Sequence, residues 1–149
     1  MDLRVKKFTP DAVLPEYKTA GAAGADLCAN ETVTVKPGTV SIIKLGVGFD
    51  IPEDHMILLA LRSSTPKKKG LFIANGMGII DSDYKGELML AVATIGDKEV
   101  IVEKGERIAQ VILTPCRQLF SATSAMNIVE VADLEESERG AGGFGSTGN

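Results

Sequence analysis

Thr32-Val33-Thr34-Val35-Lys36-Pro37-Gly38 decides the fold class. Polar and apolar positions alternate over five residues, and the run stops at a Pro-Gly pair. That is the pattern of a half-buried strand ending in a tight turn. The pattern recurs on both sides. Upstream, Leu3-Arg4-Val5-Lys6 alternates in the same way. Downstream, apolar or alternating runs cover Val40 to Leu45, Val47 to Ile51, Met56 to Leu61, Leu88 to Thr94, Glu99 to Val102, Ile108 to Leu113 and Ile128 to Val131. Turn residues separate several of these runs: Gly46, Pro52-Glu53-Asp54, Gly96-Asp97 and Lys104-Gly105. Many short strands at this spacing predict an all-β sandwich or barrel. One short helix is predicted, capped by Ser64, with Pro66 in its first turn, running through Lys67-Lys68-Lys69 to a stop at Gly70. No linker and no internal repeat interrupts the chain.

The 149 residues fit one domain. Hydrophobic residues make up 44% and aromatics only 5%, with no Trp, so Val, Ile, Leu and Ala must fill the core. A domain this small leaves little room for a deep pocket of its own, which points to a site shared between subunits. The net charge of −4 argues against a nucleic-acid partner, since such binding rests on a basic face, but leaves room for a local basic pocket. Cys28 and Cys116 lie far apart; they could pair, though free buried thiols are the expectation. No apolar run reaches the roughly 18 residues of a membrane span. The opening Met1-Asp2-Leu3-Arg4-Val5-Lys6-Lys7 does not read as a signal peptide. A cytoplasmic protein with no membrane partner is expected, with the nucleus as the alternative for a eukaryotic or viral source.

Several segments carry chemistry. Asp81-Ser82-Asp83-Tyr84-Lys85-Gly86-Glu87 packs acids, a tyrosine and a turn glycine together. Two acids one residue apart could bind a metal, or one could act as a general base; a polar hairpin turn would look the same. In a strand, Asp81 and Asp83 would share a face. Leu61-Arg62-Ser63-Ser64-Thr65 lies where a strand gives way to the short helix, which suits an anion or simply a helix cap. Lys67-Lys68-Lys69 reads as a solvated face, with a supporting role near a polyphosphate as the alternative. Gln110 in an apolar strand needs partners if buried. His55, the sole histidine, is expected to be exposed, so a His-dependent triad is not indicated. No zinc-site spacing exists. From Glu135 to Asn149 hydrophobic periodicity ends, and Arg139-Gly140-Ala141-Gly142-Gly143-Phe144-Gly145-Ser146-Thr147-Gly148 is rich in glycine. Such a tail could be a linker, or its backbone N–H groups could converge on an anion. Arg139 adds a planar charged fork, and Phe144 could cover a base. No Lys follows the glycines as a Walker P-loop requires.

Taken in order, Ala23-Gly24-Ala25-Asp26-Leu27, Arg62-Ser63-Ser64, Gly78 through Glu87, Gly105 through Gln110 and Arg139 through Gly148 resemble the five motifs of the trimeric deoxyuridine triphosphatase family. The third and fifth are the most specific. The resemblance implies a jelly-roll-like β-barrel over residues 1–134 and a flexible C-terminal arm over 135–149 that closes on an active site. It further implies a homotrimer whose three sites each draw on all subunits. The implied activity is Mg²⁺-assisted cleavage of dUTP to dUMP and pyrophosphate, which limits uracil in DNA and supplies dUMP for dTMP synthesis.

By the same resemblance Asp81 is the general base, and Tyr84 packs beneath deoxyribose. Asn75 lies on the hairpin that reads uracil, and Gly78, Ile80 and Met89 belong to that substrate-binding region. Arg62, Ser63 and Ser64 contact phosphate, and Gln110 sits near the α-phosphate and the water. Asp26 holds Mg²⁺ from the second shell, through water. Arg139 and the backbone of Gly145, Ser146 and Thr147 contact the γ-phosphate, and Phe144 stacks on the base. The sequence departs from the family pattern at Leu61, Ser64, Lys85 and Ala141, where many members carry Pro, Gly, Arg and a polar residue. Two rival readings are a deoxycytidine triphosphate deaminase, which shares the barrel, and a non-catalytic nucleotide-responsive binding protein on the same scaffold.

Overall fold

The computed structural model describes residues 2–116, 128–135 and 137. In chain order the elements are β1 (Arg4–Lys7), β2 (Ala25–Cys28), β3 (Val33–Val35), β4 (Ser41–Lys44), β5 (Val47–Asp50), β6 (His55–Leu61), α1 (Ser64–Lys69), β7 (Leu71–Ile73), β8 (Gly78–Ile80), β9 (Met89–Thr94), β10 (Val100–Val102) and β11 (Arg107–Pro115). The described chain is therefore almost wholly β, as the alternating runs imply. All pairings are antiparallel. Among the described residues four sheets form, with orders β1-β5, β10-β3, β2-β11-β6-β8 and β4-β9-β7.

The inward positions of these strands build one core. Val35, Ile43, Val47, Ile57, Leu59, Leu71, Leu90, Val92 and Ile108 are all buried, and Phe49 is the only aromatic in the cluster. Aliphatic side chains thus carry the packing, as the composition requires. In β9 every second residue, Leu90, Val92 and Thr94, points inward. Gly48 in β5 lies so close to the loop before β9 that an added Cβ would sit 2.5 Å from the Gly86 carbonyl oxygen and 2.8 Å from the Phe8 ring.

The structure differs from the sequence expectations at several places. Ile128 to Val131 forms no strand; Ile128 and Val129 stand 81% and 72% exposed. Alternation prepares a segment for half-burial, but a strand also needs an edge to pair with, and this segment meets none in the described chain. Conversely, β2, β7 and β8 are strands without a clear signal: β7 is apolar at every position and β8 opens on glycine. The helix is capped one residue earlier than expected. Ser63 is the N-cap, in helical backbone geometry and with no side-chain cap bond, so Ser64 is the first helical residue. The stop at Gly70 is as expected: its φ of 65° is left-handed, and its N–H donates to the Pro66 carbonyl at 2.8 Å. Cys28 and Cys116 are free but half-buried rather than buried. His55 is not exposed; its side chain retains 14% of its surface and its Nδ1 lies 2.6 Å from Asp54 Oδ1, because β6 begins at His55 and draws it in. No described helix is long and apolar enough to cross a membrane.

The Gly48 contact gives a test of packing. Gly48→Ala should destabilise the protein by about 1–3 kcal/mol, through forced separation of β5 from the Gly86 backbone. Urea unfolding measures it, and an unchanged midpoint would show that the two backbones can move apart freely.

Candidate active site

The four-stranded sheet gathers three of the motifs. β11 lies between β2 and β6, and its register sets Gln110 opposite Asp26 on one side and Ala60 on the other. Asp26 is pinned by backbone bonds in both directions with Glu16. Gly24 lets the chain pass close to Gln110: an added Cβ would meet Gln110 Oε1 at 3.0 Å. Gln110 itself is half-buried. Arg62 follows β6 directly and its Nε lies 3.1 Å from Asp26 Oδ1. Arg107, at the start of β11, places Nη1 3.3 Å from Asp26 Oδ2. One carboxylate, with only 12% of its side-chain surface exposed, thus orients two guanidinium groups.

A cavity of about 290 Å³ opens beside this cluster, lined by Arg62, Ser64, Thr65, Lys68, Lys69, Glu106 and Arg107. Four cations line it against one acid, and Lys69 is already paired with Glu106 at 3.0 Å. An acidic chain therefore carries a local basic mouth suited to a polyanion. Ser63 is exposed and Ser64 half-buried at its edge. Lys67-Lys68-Lys69 is thus more than a solvated face, since Lys68 and Lys69 line the cavity. Arg107 and Thr65 belong to this region too, yet sequence reasoning assigned them no role. The signal for Arg107 was its position as the one cation entering an apolar strand.

The acidic segment lies elsewhere. Asp81 and Asp83 do not share a strand face, because 81–84 is a turn, with the Tyr84 N–H donating to the Asp81 carbonyl at 3.2 Å. Asp81 is exposed and lines a cavity of about 210 Å³ with Ile79, Ile80, Tyr84, Leu88 and Met89. Tyr84 is fixed by its hydroxyl, which donates to the Glu87 carbonyl at 2.8 Å. Gly86 makes room for the ring, since a Cβ there would sit 2.5 Å from Tyr84 Oη. Lys85 ties the loop to Asp50 Oδ1 at 2.8 Å, and this ammonium, with the Arg4 charge beyond it, holds the Asp50 carboxyl below the usual carboxylate range.

Asn75 is exposed in a turn closed by the Gly76 N–H on the Ile73 carbonyl at 3.0 Å. It is not on a paired hairpin, because β7 pairs with β9 while β8 pairs with β6, so the turn passes between two sheets. Gly78 is needed there: a Cβ would approach Leu59 Cβ to 2.9 Å.

These two regions stand at opposite ends of β6. Ile80 pairs with Ile57 and Gly78 with Leu59, so Asp81 falls level with Met56, while Arg62 lies six residues further along the same direction. At strand spacing that is about 20 Å. A larger apolar cavity of about 380 Å³, lined by Leu3, Val5, Phe49 and Ile57 among others, contains none of the expected site residues. Arg139, Phe144, Gly145, Ser146 and Thr147 lie outside the described residues.

The described residues hold no group of three or more acids, His or Cys that could ligate a metal directly. Asp26 has both oxygens accepting from arginines, which leaves it able to accept a further bond from a water and suits it to holding a metal only through water. Burial pushes the Cys28 thiol up, which leaves it a poor nucleophile.

Residues 11–148 match the dUTPase family model. The chain belongs to the dUTPase family. It is 40% identical over 149 residues to the deoxyuridine 5'-triphosphate nucleotidohydrolase of Hydrogenobaculum sp. (strain Y04AAS1), covering 99% of each chain. To the enzyme of that name from Nautilia profundicola it is 39% identical, again covering 99% of each. The solved Staphylococcus bacteriophage 80alpha dUTPase with dUpNHpp is similar with a TM-score of 0.81 at 30% identity, covering 99% of both chains. The all-β dUTPase fold anticipated from the motifs is therefore the fold of this chain, and neither the deaminase nor the binding-only reading is favoured.

The Tyr84 seat is testable in this family member. Gly86→Ala should drive the ring off the Glu87 carbonyl. With no Trp and only Tyr17 besides, tyrosine fluorescence reports the change directly. An unaltered tyrosine signal would show that the ring does not depend on Gly86.

Proposed function

We propose that the chain hydrolyses dUTP to dUMP and pyrophosphate, at sites assembled from more than one copy of itself. The observation that carries this reading is the distance between the Asp81–Tyr84 cavity and the Arg62–Arg107 mouth. A water-activating acid and the cations that hold the phosphates must serve one substrate, and about 20 Å along β6 separates them within a chain. Joining the Asp81 face of one copy to the Arg62 face of another removes the conflict. A closed homotrimer, as the family resemblance implies, satisfies this with three equivalent sites.

In this mechanism Asp81 orients a water and takes its proton as the oxygen attacks the α-phosphorus. The bond from that phosphorus to the bridging oxygen breaks, and pyrophosphate leaves. A positioned carboxylate contributes about 10²–10⁴-fold, because water near neutral pH is a weak nucleophile. Arg62, Ser63 and Ser64 hold the phosphate chain, and Gln110 steadies the α-phosphate and the water. Asp26 keeps Arg62 and Arg107 aimed, and its carboxylate would accept from water bound to Mg²⁺. When bound, that ion offsets phosphate charge and withdraws electrons from the leaving group. Tyr84 forms the floor under deoxyribose, which leaves no room for a 2′-hydroxyl. Asn75, Gly78, Ile80 and Met89 line the approach to the base, and backbone groups pair with its edge. A polar edge matched to uracil rejects cytosine by leaving buried groups unpaired. Arg139, Phe144, Gly145, Ser146 and Thr147 complete the site from the C-terminal arm, on the γ-phosphate and over the base. A cytoplasmic setting suits this role in the nucleotide pool.

Two measurements check the reading. Among dUTP, dCTP, dTTP and UTP with Mg²⁺, only dUTP should release pyrophosphate at an appreciable rate, and Asp81→Asn should abolish release while dUTP still binds. Release from all four substrates would defeat the specificity argument. Separately, Asp81→Asn, inactive alone, and Arg62→Ala, strongly impaired but measurable alone, should recover part of the activity when the two chains are unfolded and refolded together. No recovery in the mixture would place both residues in one chain's site and defeat the shared arrangement.

A further inference from the structure

We propose that Thr65 is a positioning residue for the phosphate contacts: its buried hydroxyl locks the Arg62–Thr65 turn to β11 and so aims the Arg62 guanidinium. This rests on the reading of Arg62 as a phosphate ligand. Thr65 is only 5% exposed. Its hydroxyl donates to the Ile108 carbonyl at 3.0 Å. The Arg62 N–H donates to that same carbonyl at 3.0 Å, and the Thr65 N–H closes the turn on the Arg62 carbonyl at 2.9 Å. One carbonyl, using both its lone pairs, thus fixes both ends of the turn.

The register of the sheet slips at the same residue. Arg107 pairs with Cys28 and Ala109 with Leu27, so Ile108 is an extra residue on the β2 side, a β-bulge. On the other side, Ala109 with Leu61 is the last strand pair, and the Ile108 carbonyl continues the ladder into Arg62. Arg107 flanks the bulge and reaches Asp26, where it meets Arg62. A second strand carbonyl, that of Arg107, accepts from Arg62 Nη1 at 3.4 Å. The position of Arg62 is therefore referred to β11 at three points, and Thr65 supplies the one that valine, equal in shape, would lack. Thr65 touches no reacting atom in this account. It acts through Arg62.

The experiment compares full-length wild type, Thr65→Val and Thr65→Ser in dUTP turnover with Mg²⁺, alongside the Arg62 Nε–H signal by NMR. Thr65→Val should lower kcat/KM by about 10- to 100-fold, the scale of a small misplacement of a charged clamp. Thr65→Ser, which keeps the hydroxyl, should stay close to wild type. In an Arg62→Ala background Thr65→Val should add no further loss, because the two act as one unit. The Arg62 Nε–H signal, sharpened by its bond to Asp26, should broaden in Thr65→Val and persist in Thr65→Ser. Equal losses in both Thr65 variants would assign the residue to packing, and wild-type behaviour of Thr65→Val would remove its role altogether. A wild type that released no pyrophosphate would sink the activity reading alone, since the Nε–H comparison still decides whether Thr65 aims Arg62.

Discussion

The pairing of β11 with two partners at once is the interaction on which the rest depends. β2 and β6 come from distant parts of the chain, and in this sheet each is hydrogen-bonded to β11 and not to the other. Asp26, Arg62, Arg107 and Gln110 converge because one nine-residue strand sets the register of both neighbours. A slip of one residue would turn every side chain of β11 to the opposite face, moving Ile108, Ala109 and Val111 out of the core and Gln110 away from Asp26. Burial of the aliphatic face therefore fixes the polar geometry.

Charge is handled in the same economical way. The chain is acidic overall, yet the mouth beside α1 gathers Arg62, Lys68, Lys69 and Arg107. Without a ligand these cations would repel one another. Asp26 takes two of them and Glu106 a third, so the region is held in shape before any anion arrives. A polyphosphate then meets oriented donors instead of ordering them at its own expense, which is the advantage of preorganisation.

Much of this was legible in the sequence. Alternating or apolar runs bounded by turn residues located β1, β3, β4, β5, β6, β9, β10 and β11 to within a residue or two at most ends. β2, β7 and β8 escaped because each is only three or four residues long: Leu71-Phe72-Ile73 is too short an apolar run to stand out, and Gly78 hides a strand start. Ile128 to Val131 was misread for the converse reason: its pattern is that of a strand, but pairing is a property of two segments and only one was visible. In the site, the five motifs named Asp81, Arg62, Gln110 and Asp26. They did not name Arg107 or Thr65, whose importance lies in a bulge and a shared carbonyl. Nor did they reveal that Asp81 and Arg62 sit at opposite ends of β6, because linear order says nothing about strand direction.

The length of β6 has a further consequence. Between the levels of Asp81 and Arg62 the strand works as a ruler, and what it measures is a number of residues. Leu58, Leu59 and Ala60 can drift in identity while burial and volume are kept. Loss of one residue between Met56 and Leu61 would shorten the ruler by about 3.3 Å and flip the remaining side chains. Over evolutionary time this stretch should therefore accumulate substitutions and yet hold its length, with insertions and deletions confined to turns such as Gly96-Asp97.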